Sequence, residues 1–141
     1  MELRTLGRDG PLVSSLGLGC VTFGREIDRD AAFAVMDRAL ERGITLFDTA
    51  EVYARGASET IVGEWLAARG TRQQIVLATK VAGALTRERV LASAEASCRR
   101  LQTDAVDVCS SCIVGTPTCR WTRRWRRLKQ SCSVAWRAQW A

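Results

Sequence analysis

Three side chains that can carry charge or move protons lie just behind two apolar stretches of the sequence. Asp48 lies at the end of 44–49, Tyr53 follows in the next loop, and Lys80 comes directly after 75–79. A lysine straight after an apolar run must reach solvent or find a charged partner, and Asp48 is the natural one. An ammonium group near a phenol favours the phenolate, so Tyr53 could protonate a developing alkoxide while a nicotinamide delivers hydride. The plainer alternative, a strand-end ion pair beside a half-buried tyrosine, fits the spacing equally well.

The segments that would position these residues alternate between strands and helices, with strand centres about 30 residues apart, the length of one βαβ step. Residues 1–6 and 12–16 predict a hairpin in front of them. The predicted strands are 16–20, 44–49, 75–79 and 105–108, and the helices begin at about Asp28, Ser58 and Thr86, the first two stopping at Gly43 and Gly70. The side chains predicted to face the core are Ala32, Val35, Met36, Ala39, Leu40, Ile61, Val62, Trp65, Leu66, Val90, Leu91, Ala94 and Leu101. This alternation predicts an α/β fold with a parallel sheet.

A closed barrel fits this sheet better than an open nucleotide-binding sheet does. The open fold places G-x-G-x-x-G after its first strand, whereas Gly17, Gly19 and Gly24 are spaced differently. A complete (β/α)8 barrel needs roughly 250 residues, and the chain has 141. The prediction is a truncated (β/α)8 TIM barrel, made of an N-terminal hairpin and about three and a half βα units.

The composition changes abruptly between Val108 and Cys109. Residues 1–108 carry 15 acidic and 14 basic side chains, whereas residues 109–141 carry no acid and 7 basic side chains. The second segment also holds four of the six cysteines and four of the five tryptophans. We therefore predict two parts, with 1–108 as the barrel portion and 109–141 as an unstructured basic tail.

The tail has several possible uses. Its basic and aromatic residues could bind nucleic acid through phosphate contacts and stacking, or lie on an anionic membrane. They are Arg120, Arg123, Arg124, Arg126, Arg127 and Lys129, interleaved with Trp121 and Trp125. Non-specific binding to polyanions is the weaker form of the same idea. Cys109, Cys112, Cys119 and Cys132 lack the second C-x-x-C that a zinc ribbon needs, so no metal site is expected.

Three segments resemble signatures of the aldo-keto reductase family. Leu16–Gly24 is similar to its first-strand motif, Gly43–Tyr53 closely resembles its most specific motif, and Ser58–Gly63 continues that motif. The resemblance runs from Met1 to about Val108. It implies NADPH-dependent reduction of aldehydes and ketones, with a small carbonyl compound as substrate and the hairpin closing the bottom of the barrel.

The resemblance also implies roles for individual residues. Asp48, Tyr53 and Lys80 take the catalytic places. Gly19, Cys20 and Asp48 take places near the nicotinamide half of the cofactor. The family's fourth catalytic residue is a histidine after the fourth strand, and this chain contains no histidine. The chain as it stands is therefore predicted to be inactive.

A shifted reading frame would account for both the missing histidine and the tail. Out-of-frame translation of a GC-rich gene yields Arg, Trp, Cys and Ser without acids. Joining the last base of each codon to the first two of the next allows histidine or tyrosine at the junction of Cys112 and Ile113. The shifted segment as a whole permits Q-L-x-H-R-W-D-P-D, which resembles the family's continuation. The alternative is a genuine tail on a non-catalytic interaction protein or a basic nucleic-acid-binding chain.

The N-terminus predicts no targeting signal. Met1–Gly10 is charged and has no apolar stretch. No run of about 18 apolar residues occurs in the sequence. A cytoplasmic location, with neither a membrane nor a specific nucleic acid as partner, is the expectation.

Overall fold

The computed structural model describes residues 1–8, 10–83 and 86–112, and the rest of the predicted basic tail lies outside these residues. The strands of this part are β1 (Leu3–Thr5), β2 (Leu12–Ser14), β3 (Gly17–Gly19), β4 (Leu46–Asp48), β5 (Val76–Ala82) and β6 (Val108–Cys112). The α-helices are α1 (Arg29–Glu41), α2 (Ala57–Arg69) and α3 (Arg87–Arg100). Strands and helices alternate after the hairpin, which confirms the predicted α/β class.

The central sheet is parallel throughout, in the order β3-β4-β5-β6. One row of paired residues, Gly19, Asp48, Ala78 and Val108, crosses all four strands. Neighbours in sequence are neighbours in the sheet, as in a (β/α)8 barrel, where each strand pairs with the next one along the chain. The carboxyl ends of the strands therefore meet along one rim.

Two strand boundaries differ from the prediction. Lys80 does not end its strand, because β5 continues to Ala82. The fourth strand of the sheet is 108–112 and not 105–108, since Asp107 anchors its start by donating its backbone N–H to the Leu77 carbonyl oxygen at 3.0 Å. Its Cys and Ser residues give a weak strand signal, while the backbone pairing that forms it does not depend on side-chain type. The first four residues of the predicted tail thus belong to the sheet, and the domain boundary itself stays a prediction.

The helix ends follow the sequence signals. Asp28 caps α1 by accepting a hydrogen bond from the backbone N–H of Ala31 at 2.9 Å, and Gly43 beyond the helix takes φ +77°. Thr86 caps α3 in the same way. The predicted inward position of Val35 is wrong, because its side chain is 40% exposed and Phe33 is buried instead.

The hairpin sits at the amino ends of the parallel strands, as the resemblance implied. Ser14 accepts a hydrogen bond from the Thr45 backbone N–H at 2.9 Å, just before β4 begins, and donates to the Leu16 carbonyl oxygen at 2.6 Å. Ser14 also donates its own backbone N–H to Thr45 Oγ1 at 3.1 Å. These bonds fix β2 beneath the sheet and leave the opposite rim open.

The hydrophobic core fills the layer between sheet and helices. Phe47 of β4 stacks on Trp65 of α2 with ring centroids 5.4 Å apart, and both side chains are fully buried. The predicted core residues of α2, Ile61, Val62, Trp65 and Leu66, are all buried. Among the described residues, no helix is long and apolar enough to cross a membrane. Because alternate strand residues face opposite sides of the sheet, burying Phe47 turns its neighbour Asp48 away from the helices.

Candidate active site

The three predicted catalytic side chains meet at the carboxyl rim of the sheet. Lys80 Nζ lies 2.5 Å from Asp48 Oδ2 and 3.1 Å from the Tyr53 hydroxyl oxygen. It also donates to the Thr49 backbone carbonyl oxygen at 3.1 Å. Three elements converge here: β4 carries Asp48, β5 carries Lys80, and the turn after β4 carries Tyr53. The ammonium group thus connects a carboxylate to a phenol.

A tight turn brings Tyr53 back over the sheet. Tyr53 begins a 3-10 segment in which Ala54 and Arg55 take φ values of +48° and +55°, followed by Gly56 at +92°. Such left-handed conformations cost of order 1 kcal/mol or more for a residue that has a Cβ. Tyr53 is anchored by its backbone N–H, which donates to the Ala50 carbonyl oxygen at 3.1 Å. The chain therefore accepts local strain where it places the phenol.

The electrostatics keep Lys80 charged. Partial burial works to lower the pKa of Lys80, but the hydrogen bonds to Asp48 and Tyr53 outweigh it and raise that pKa above its ordinary value. The Lys80 side chain is 20% exposed, against 39% for Asp48. The Lys80 ammonium group thus places a positive charge beside the phenol oxygen at neutral pH.

Gly19 and Cys20, the two other predicted cofactor-site residues, face different ways. Gly19 pairs with Asp48 in the sheet, and a Cβ placed on it would meet no atom of the described residues within 4 Å. Protein packing therefore does not require a glycine here, which fits close approach of a bound molecule. Cys20 is fully buried in the core, and that burial, with the charge of Asp48, raises the pKa of its thiol to about 12. Only its backbone, which donates to the Asp48 carbonyl oxygen at 2.9 Å, lies at the rim.

A cavity of about 720 Å³ opens on the face of the sheet away from the helices. Its lining residues are Leu6, Gly17, Gly19, Leu46, Asp48, Ala78, Val108 and Ser110. This is the interior side of the barrel wall, floored by Leu6 from the hairpin. Its size lies within the roughly 300–1,000 Å³ of small-molecule sites. Asp48 is the catalytic candidate that borders it.

Three further polar residues support the site, and the proton-transfer reasoning from the sequence did not identify them. Ser58 and Glu59, in the first turn of α2, are fully buried. Glu51 is nearly buried and accepts the Ala82 backbone N–H at 2.7 Å and Arg89 at 3.1 Å. The only sequence signal for the first pair was the motif Ser58–Gly63. Within the described residues, no group of three His, Cys, Asp or Glu side chains is arranged to hold a metal ion.

The model of the Aldo/keto reductase family matches residues 15–118. The chain belongs to this family. The match covers the strands that bring Asp48 and Lys80 together and extends beyond the predicted boundary at Val108. Ser110 of β6 stands opposite Lys80 in the sheet.

Known relatives are considerably longer than this chain. "Uncharacterized oxidoreductase YrpG" of Bacillus subtilis (strain 168) is 39% identical over 126 residues, and the match covers 77% of this chain and 39% of that protein. "Protein tas" of Escherichia coli (strain K12) is 38% identical over 116 residues, and the match covers 68% of this chain and 34% of that protein. The chain thus spans between 34% and 39% of the length of these curated relatives.

Solved structures in the same family share the fold. The aldo-keto reductase AKR11C1 from Bacillus halodurans, in its holo form, matches 95% of this chain with a TM-score of 0.75 and 33% identity. The match covers 48% of that chain. The thermostable aldo-keto reductase Tm1743, in complex with the inhibitor epalrestat, matches 77% of this chain and 42% of its own, with a TM-score of 0.68 and 31% identity. The parallel sheet described above therefore corresponds to part of an aldo-keto reductase barrel.

Proposed function

We propose that this chain forms the N-terminal part of an NADPH-dependent aldo-keto reductase that reduces aldehydes and ketones to alcohols. The observation that carries the proposal is the hydrogen bonding of one ammonium group, Lys80 Nζ, to both Asp48 and the Tyr53 hydroxyl. A simple strand-end ion pair would need only Asp48. The strained turn that returns Tyr53 to Lys80 favours a chemical role for the phenol.

Each residue of the group has a distinct task. Tyr53 donates its hydroxyl proton to the carbonyl oxygen as that oxygen becomes an alkoxide. Lys80 stabilises the phenolate that Tyr53 then becomes, because opposite charges at hydrogen-bond distance attract. Asp48 keeps the ammonium group charged and oriented. NADPH, when bound, supplies the hydride that goes to the carbonyl carbon, so that hydride plus proton turn the carbonyl into an alcohol.

The residues at the rim fit a nicotinamide cofactor. The open space above Gly19 allows a flat ring to approach the backbone of β3, and Asp48 borders the same cavity. A family member with the same fold has been solved in a holo form. In the proposal, Gly19, the Cys20 backbone and Asp48 lie near the nicotinamide, and the buried Cys20 thiol takes no part.

The 141-residue chain is proposed to be inactive by itself. It has no histidine to stand beside Tyr53, and it spans less than half the length of its relatives. Positioning of cofactor and carbonyl supplies several kcal/mol of a typical rate enhancement. An incomplete cofactor-binding site would therefore lose most of that contribution. The net charge of residues 109–141 favours one other activity for the same chain, non-specific binding of polyanions.

The test compares this chain with a frame-restored chain, in which one base is corrected near the Val108 codon so that translation continues through Q-L-x-H-R-W. NADPH consumption with a simple aldehyde is followed by absorbance. We expect turnover from the frame-restored chain and none from the 141-residue chain. In the frame-restored chain, Tyr53→Phe should abolish turnover and preserve NADPH binding, because only the proton donor is lost. Arg55→Ala, an exposed change in the same turn, should leave turnover intact. Turnover by Tyr53→Phe at the unmodified rate would refute the assignment.

A further inference from the structure

Two consecutive polar residues in the first turn of α2, Ser58 and Glu59, are fully buried behind the active-site rim. Burying a carboxylate is costly unless its charge is paired and its oxygens accept hydrogen bonds. Neither side chain lines the cavity, so neither is placed to touch substrate. Each instead reaches a different strand of the sheet.

Ser58 ties α2 to β3 and β4. Its hydroxyl donates to the Cys20 carbonyl oxygen at 2.7 Å and lies 2.9 Å from Thr49 Oγ1. Since its single proton is used on Cys20, the Thr49 hydroxyl is the donor to Ser58. Thr49 in turn follows Asp48 directly and offers its backbone carbonyl to Lys80 Nζ at 3.1 Å. Ser58 therefore holds the segment that presents two of the oxygens bound by Lys80.

Glu59 ties α2 to β5 and α3. Its Oε1 accepts the Thr79 hydroxyl at 2.5 Å, and its Oε2 accepts Arg100 Nε at 2.7 Å. Thr79 is the residue directly before Lys80. One turn along α2, a Cβ on Gly63 would lie 2.3 Å from the Arg100 carbonyl oxygen. The missing side chain at Gly63 thus lets the end of α3 come close enough for Arg100 to neutralise the buried carboxylate.

We propose that Ser58 and Glu59 are positioning residues that set the separation of Asp48 and Lys80 from behind the sheet. Ser58 fixes the Asp48 side of the pair and Glu59 fixes the Lys80 side, so one helical turn sets the separation of these two positions on neighbouring strands. The proposal rests on the proposed function for its catalytic meaning, but the geometric claim stands on these contacts alone. A shift of either strand at this position lengthens the bond from Lys80 Nζ to Asp48 and lowers the affinity of Lys80 for its proton.

The test measures the pKa of Lys80 directly in the 141-residue chain. The sequence contains two lysines, so Lys129→Arg leaves Lys80 as the single signal from ¹³C-labelled lysine in an NMR titration. In this background, Thr79→Val removes the hydroxyl group that donates a hydrogen bond to Glu59, and it changes no charge. We expect it to lower the pKa of Lys80, and by less than loss of the Asp48 charge would, because Thr79→Val leaves both partners of the ion pair in place. Thr79→Ser restores the hydroxyl and should restore the titration.

Glu59→Gln tests the same contact from the other side, and Asp107→Asn is its matched control. Asp107 also pairs with an arginine, Arg72, and also bonds β5, but at the Leu77 backbone N–H, near the start of that strand. Glu59→Gln should lower the pKa of Lys80, whereas Asp107→Asn should not. If Glu59→Gln fails to fold, Thr79→Val and Thr79→Ser decide the question.

An unchanged Lys80 titration in Thr79→Val would overturn the proposal, as would an equal shift in Asp107→Asn. A titration lowered by Thr79→Val and restored by Thr79→Ser would support it. None of these readouts needs turnover or NADPH. A frame-restored chain that proved inactive would therefore refute the reductase proposal and leave the positioning result to be judged separately.

Discussion

Asp48→Asn isolates the charge of the carboxylate in the Asp48–Lys80 pair. Asparagine has nearly the shape of aspartate, and its amide oxygen can still accept a hydrogen bond from Lys80 Nζ. What disappears is the negative charge 2.5 Å from the ammonium group. Because the hydrogen bond to Asp48 is a main cause that raises the pKa of Lys80, the substitution should lower that pKa. The hydrogen bond to Tyr53, at 3.1 Å, remains.

The size of the shift follows from the exposure of the pair. A hydrogen bond between charged groups contributes roughly 1.5–3 kcal/mol when protected, whereas fully exposed ion pairs contribute about 0.2–1 kcal/mol. Lys80 is 20% exposed and Asp48 is 39% exposed, so solvent screening places the pair between these limits. An intermediate value of about 1.4 kcal/mol corresponds to about one pKa unit. We therefore expect the pKa of Lys80 to fall by about one unit in Asp48→Asn.

The measurement is the ¹³C-lysine titration in the Lys129→Arg background. Asp37→Asn is the control, since Asp37 pairs with Arg69 on the helical side of the molecule and makes no contact with the rim. It should leave the Lys80 titration unchanged. An Asp48→Asn titration that coincides with the parent would show that solvent screens the pair completely. The assignment of Asp48 as the residue that keeps Lys80 charged would then fall.

Three further predictions concern packing and access. Gly63→Ala should lower the free energy of unfolding by roughly 1–3 kcal/mol in urea titrations, because its Cβ would collide with the Arg100 backbone. An unchanged urea midpoint would contradict that contact. The added methyl group of Gly19→Ala meets open space, so the free energy of unfolding should change by less than about 1 kcal/mol. NADPH binding to the frame-restored chain should weaken in this variant. NADPH binding as tight as in the parent would place the cofactor elsewhere. Cys20, with a pKa of about 12, should resist iodoacetamide at pH 8 until the chain is unfolded, as peptide mapping by mass spectrometry can show.

The residues at the rim were predictable because the fold class dictates where they go. Once strands and helices alternate, consecutive strands lie side by side and their carboxyl ends share one rim. Asp48 and Lys80 then face one another although 32 positions separate them, and the caps Asp28 and Thr86 mark where the helices begin. The pairing of Lys80 with Asp48 needed only this topology and the cost of burying an unpaired charge.

The support behind the rim was not predictable in the same way. Glu59 in the first turn of a helix is commonly an exposed residue that favours the helix dipole. Its burial depends on Thr79 and on Arg100 at the far end of α3, which no local pattern brings together. The helical period also does not decide between Val35 and Phe33. Phe33 is buried as part of the hydrophobic core, and its ring also lies against the guanidinium groups of Arg29 and Arg69, which come from two different helices.

The pairing of β6 with β5 shows where in the sheet the proposed frame shift would fall. Val108 and Ser110 line the cavity, and the register pairs Ser110 with Lys80 and Cys112 with Ala82. The shifted frame allows a histidine or a tyrosine codon at the junction of Cys112 and Ile113, directly after the last residue of β6. Sheet pairing through Cys112 does not argue against a shift, because backbone hydrogen bonds form with almost any side chain.

We expect resequencing through the codons for residues 107–112 to find a one-base difference, followed by an open frame of about 150–200 codons, the remainder of a barrel. If resequencing instead confirms the printed frame, and the alternative frame soon meets a stop codon, residues 109–141 are a genuine tail. Binding of the chain to polyanions, measured against salt concentration, would then be the activity to pursue.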